Sequence, residues 1–242
     1  MMPTFEGVEH RSSNLDSGGE LVLLSLRLLL NLLGILTASS RRQPAPGMEM
    51  VVKKYQQKFK KVRDEMSRWD KLQSRLLSQF RNASAIIERL KVLQEPKNYG
   101  QLICVNGIRE AILGKQMESL QTILISMKKT LEEFHGVVIS LEKILRDGRQ
   151  QLKGGSMSPS TNQMQLRIGI RPSLADCLEG LRLIHEMYHS EYQVKASIVS
   201  ALALKLSASD LGVLHQLLVD QPNIPKEEVQ FIFDIILAEE IC

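Results

Sequence analysis

YQQKFKKVRDEMSRWDKLQSRLLSQFRNASAIIERL, residues 55–90, decides the fold. Its apolar residues alternate at steps of four and three: Tyr55, Phe59, Val62, Met66, Trp69, then Leu76, Phe80, Ala83, Ile87 and Leu90. Only Gln73 breaks the series. A mean spacing of 3.5 residues puts one oily stripe on a helix, and the charged residues between fall on its other faces. Carried to Glu95, the helix is about 60 Å long at a rise of 1.5 Å per residue. Pro96 ends it, because the residue before a proline is driven out of the helical region. The KNYG that follows reads as a turn.

A second stripe keeps the same rhythm: Leu113, Met117, Leu120, Leu124, Met127, Leu131, Phe134, Val138, Leu141 and Leu145. A short turn between two such helices predicts an antiparallel hairpin over residues 48–152. Asp147-Gly148 reads as the close of the second helix or a weakening of its last turn. KGGSMSPSTNQ has no core pattern, so 153–170 reads as a flexible linker. Residues 171–242 then form a C-terminal helical segment packed on the hairpin. Two helices alone would leave much of both stripes uncovered.

Before the hairpin lies LVLLSLRLLLNLLGIL, residues 21–36. It falls short of the roughly 20 apolar residues a membrane helix needs, and Arg27 and Asn31 interrupt it. The acids Glu6, Glu9, Asp16 and Glu20 before it argue against an export or mitochondrial signal. SSRRQPAPG follows as a linker, so residues 1–47 read as a disordered or dispensable leader.

The net charge of +4 is unevenly placed. Lys53 to Lys91 carries twelve Lys or Arg against four Asp or Glu, whereas Ser207 to Cys242 carries seven acids and one Lys. Such asymmetry suggests separate partners for the two ends, or one end touching the other. Lys53, Lys54, Lys58, Lys60 and Lys61 could meet RNA phosphates without reading sequence. They could equally be the solvated face of a coiled coil, and the polar side lacks aromatics for base stacking. Three widely spaced cysteines point to a reducing compartment, cytoplasm or nucleus.

The third helix opens at RPSLADCLEGL. Ser173 with Asp176 three residues later is a capping-box start. The step of four and three places Leu174, Leu178, Leu181, His185, Tyr188 and Tyr192 in its seam. Within it, HEMYH (185–189) matches H-E-x-x-H, where two imidazoles one turn apart hold zinc and the Glu activates water. Glu191 is too near for a third ligand, Asp210 has a possible separation but opens the next predicted helix, and no strand pattern offers an edge for substrate. A packed seam histidine with a solvated neighbour is the better reading, and zinc hydrolysis the weakest. Ser207 to Asp210 is a second cap. Pro225 suits a first helical position, with Glu227 and Glu228 in the first turn. Val229, Ile232, Phe233, Ile236 and Leu237, with Phe231 and Ile235 opposite, predict a buried final helix.

No glycine-rich phosphate loop, nucleophile elbow or paired carboxylates are present. The pattern implies no cofactor and no small-molecule substrate. The Ser173–Glu179 helix start, Tyr188 and Tyr192 four apart, and the tail IPKEEVQFIFDIILAEEI carry a resemblance. From about Met48 onward the chain resembles a family of helical plant proteins. More remotely it is similar to the AIRIM family, ribosome-maturation factors that work with AAA ATPases. The resemblance implies a non-enzymatic adaptor whose partners are AAA ATPase subunits and pre-ribosomal factors. Its partner-facing residues would be Ser173, Asp176, Glu179, Tyr188 and Tyr192. A coiled-coil subunit of a tethering or cytoskeletal complex is the alternative.

Overall fold

The computed structural model describes residues 48–153, 160–167 and 171–238. The apolar run at 21–36, the rest of the leader and part of the expected linker lie outside them. Among the described residues the elements are α1 (Met48–Gln94), a 3-10 segment (Pro96–Cys104), α2 (Ile108–Lys153), α3 (Thr161–Met164), α4 (Leu174–Ala201), α5 (Ala208–Asp220) and α6 (Lys226–Ile236). The fold is all-α: a long helical hairpin joined by a cluster of C-terminal helices. No helix among these residues is long and apolar enough to cross a membrane.

The α1 stripe is the core. Tyr55, Phe59, Leu76 and Ala83 are wholly buried, and Val62, Trp69, Phe80, Ile87 and Leu90 nearly so. Met66 is half-buried. Glu95 is extended, at φ −84° and ψ 114°, as a residue before proline should be. Gly100 and Gly107 turn the chain at positive φ.

Polar contacts along one edge fix the hairpin's register. Ser140 donates to Glu65, Gln79 donates to Ser126, and Arg89 donates to Gln116. Steps of fourteen and ten residues along α1 are matched by equal steps back along α2. That is an antiparallel pair without slippage, and fourteen residues are two heptads.

Gly148 neither ends α2 nor weakens it. The helix runs through it to Lys153, and Gly148 is buried. A Cβ there would sit 3.2 Å from Leu181 Cδ1 and 3.3 Å from Tyr55 Cε1. Tyr55 also donates its hydroxyl to the Gly148 carbonyl at 2.8 Å. The glycine lets α1, α2 and α4 meet closely. Gly180 does the same on α4, where a Cβ would meet Ile232 of α6 at 2.9 Å and Phe59 of α1 at 3.0 Å.

The buried line of α4 keeps Leu174, Leu181 and Tyr188 from the expected seam but takes the residue before Leu178, His185 and Tyr192. It runs Leu174, Cys177, Leu181, Ile184, Tyr188, Glu191, Lys195 and Ile198. Leu178, His185 and Tyr192 are only half-buried. The rhythm is right; at the end of the line a Glu and a Lys occupy core positions as a pair. α4 runs antiparallel to α2, with Leu181 at Gly148 and Tyr192 stacked on His135, ring centroids 5.2 Å apart.

Since α4 stops at Ala201, cover thins toward the hairpin tip. Along one α2 line Leu145 and Val138 are buried, Leu131 and Leu124 half-buried, and Met117 is 43% exposed. Pro225 proves to be the N-cap of α6 rather than its first residue. Phe231 and Ile235 are half-buried, so α6 buries one face and not its whole girth.

Candidate interaction surfaces

Capping explains the start of α4. The Ser173 hydroxyl accepts from Asp176 N at 3.1 Å, and the Asp176 carboxylate accepts from Ser173 N at 2.9 Å. Arg167 pairs with the same carboxylate at 2.8 Å, and Arg171 with Glu49 at 2.9 Å. Together they tie the entry to α4 down onto the start of α1. Ser173 is 3% exposed. Ser173→Ala is expected to cost about 1 kcal/mol by leaving an orphan amide. An unchanged urea midpoint would remove that role.

Glu179 is held by Arg182 at 2.6 Å. Tyr188 is 3% exposed and packs edge-on to Trp69, centroids 4.8 Å apart. Tyr192 is half-buried against His135. Ser173, Asp176 and Glu179 cluster at one end of α4, and the tyrosines stand three to five turns further on.

In HEMYH, both carboxylate oxygens of Glu186 accept from Arg182. His189 bonds the Gln193 side chain at 3.0 Å. The two imidazoles stack at 5.9 Å. Among the described residues no three His, Cys, Asp or Glu side chains could share a metal ion. Glu186 is thus turned to its arginine.

Burial, then His189, holds His185 below its usual 6.5; Glu142 and Glu186 oppose this, and Arg149 adds to it. A base whose folded value is depressed binds its proton more readily unfolded. Stability is therefore present above pH 6.5 and falls as pH drops from there through the lowered folded value. His185→Gln is expected to flatten that part of a melting-temperature profile. An unaltered profile would contradict this.

On α1, Lys53, Lys54, Lys60 and Lys61 are exposed and Lys58 is half-buried. Lys53 pairs with Glu49 at 3.4 Å. Lys54, Lys58 and Lys61 have no ion-pair partner among the described residues. These lysines lie on the solvent side of α1, away from its apolar stripe.

A buried polar network escaped the pattern reading. Lys195 and Glu191 are both fully buried and pair at 3.0 Å. Lys195 donates to Gln73 Oε1 at 2.8 Å, and its ammonium lies 5.6 Å from the ring centroids of Trp69 and Phe134. Glu191 accepts from the backbone and side-chain nitrogens of Asn223, each at 3.2 Å. Gln73 also donates to the Leu218 carbonyl. One cluster thus joins α1, α2 and α4 to the C-terminal end of α5 and the turn after it. Its sequence signal was Gln73, the one polar residue in the α1 stripe. A polar seam position commonly sets register.

Comparison with known proteins bears on the whole assembly. No curated protein matches the chain. A family model described as CA109-like, ribosome biogenesis protein C1orf109-like, matches residues 49–241. The match spans the hairpin and every C-terminal helix, and most of the chain. The chain belongs to the C1orf109-like family.

Proposed function

We propose that this chain is a non-enzymatic helical adaptor in ribosome biogenesis. It would hold an AAA ATPase to precursors of the large ribosomal subunit. The observation that carries the reading is the family match over residues 49–241, whose description names ribosome biogenesis. The similarity of the α4 start to AAA-ATPase-associated factors supplies the ATPase. A long hairpin whose seams are mostly covered from within suits a spacer that presents surfaces, not a reaction centre. Its partners are then AAA ATPase subunits and pre-ribosomal factors, met in the nucleus, the cytoplasm or both. The unpaired Lys54, Lys58 and Lys61 support an added contact to ribosomal RNA phosphates.

Affinity purification of the tagged chain with mass spectrometry tests the adaptor. AAA ATPases and pre-60S factors should co-purify. Recovery of tethering or cytoskeletal subunits instead would replace it with the coiled-coil alternative. For RNA, charge reversal of the three lysines should weaken binding across all sequences. It should also reduce the slope of log affinity against log salt by about one for each phosphate no longer neutralised.

A further inference from the structure

A groove of about 370 Å³ opens between α1 and α6, over Tyr188 of α4. That is the small end of the ligand-pocket range, ~300–1,000 Å³. Its floor is apolar: Trp69 is 1%, Tyr188 3%, and Val229 and Phe233 each 5% exposed. One end is pinned by Gln221, in the left-handed region at φ 47°, whose side chain accepts the Trp69 indole N–H at 2.8 Å.

The rim is charged. Arg63 lies over the Phe233 ring, 5.1 Å from its centroid, and Lys226 is the first residue of α6. Both are exposed, and neither has an ion-pair partner among the described residues. Asp70 is the rim's carboxylate. Two unpaired cations against one acid call for a ligand with more negative than positive charge. The apolar floor calls for a bulky side chain. The groove is open along its outer side, so it suits a length of chain better than an enclosed small molecule. Arginine beside buried aromatics is also the composition of energetic centres in protein interfaces.

We propose that this groove docks an acidic peptide segment of a partner protein. An apolar side chain of the segment seats against Val229 and Phe233, and its neighbouring carboxylates meet Arg63 and Lys226. Arg63 can take a carboxylate by two parallel hydrogen bonds, whereas Lys226 acts as a point charge. This goes beyond the ribosome-biogenesis reading and does not depend on it.

The test is a random dodecapeptide library displayed on phage and panned on the full chain. Selected peptides are then synthesised and titrated. Trp69 is the only tryptophan, so its emission reports occupancy of the groove itself. Enrichment of an apolar residue flanked by Asp or Glu is expected, with a change in Trp69 emission on binding. Arg63→Glu with Lys226→Glu should weaken binding roughly tenfold or more. Arg63→Glu also removes the guanidinium from the Phe233 ring, so Lys226→Glu alone, checked for an unchanged melting temperature, is the second variant. Neutral or basic selected peptides, binding unaffected by charge reversal, or no enrichment at all would each overturn the proposal.

Discussion

Lys195→Ala is expected to lower folding stability by about 3–5 kcal/mol, the range for breaking a buried ion pair from one side. More than the ion pair is disturbed. Glu191 is left without its partner in a site with no exposure, and Gln73 Oε1 loses its donor. Trp69 and Phe134 lose the cation beside them. Burial lowers the Lys195 pKa, and the attraction of Glu191 only partly opposes it. Taking two charges out of water commonly costs as much as their attraction returns, so the pair is not expected to be a net source of stability. A sharper expectation follows: Glu191→Leu with Lys195→Met should cost less than Lys195→Ala alone, because no charge is left stranded. Urea denaturation of the wild type and the two variants decides it. A double variant as unstable as the single one would mean that the Asn223 bonds to Glu191, not the charge, dominate.

How much of this was legible beforehand depends on the residue type at each seam position. The stripes of α1 and α2, the stop at Pro96 and the caps at Ser173 and Ser207 were readable, since each is a local rule: spacing, forbidden backbone, orphan amides. Gly148 was not, because a glycine that ends a helix and one that lets a tyrosine approach look alike in one chain. On α4 the alternate seam positions were missed by one residue, and at Tyr192 the reason is related. Apolar periodicity scores Glu191 and Lys195 as surface, and only three-dimensional pairing makes them core. Tyr188 was picked out by resemblance, and it lies beneath the groove between α1 and α6. The groove itself needed the placement of α6, which no local pattern supplies.

Trp69→Ala is expected to cost about 3–5 kcal/mol, and Trp69→Phe about 1–2. The indole stacks edge-on with Phe134 at 4.5 Å and Tyr188 at 4.8 Å, so alanine leaves a cavity where α1, α2 and α4 meet. Phenylalanine retains most of that packing and loses chiefly the N–H bond to Gln221. That bond opposes the strain of a left-handed glutamine, so Trp69→Phe should act locally. Amide exchange at Gln221, Asn223 and Ile224 should quicken while the α1 and α2 amides stay protected. Trp69→Ala should also uncover the Lys195 ammonium. The two alanine replacements combined should then cost less than their separate costs together, since each removes the same cation–ring interaction. Strict additivity would mean that the tryptophan supports the fold by volume alone. Uniform exchange changes in Trp69→Phe would mean that the turn before α6 opens only with the whole molecule, and that the groove's end is not separately pinned.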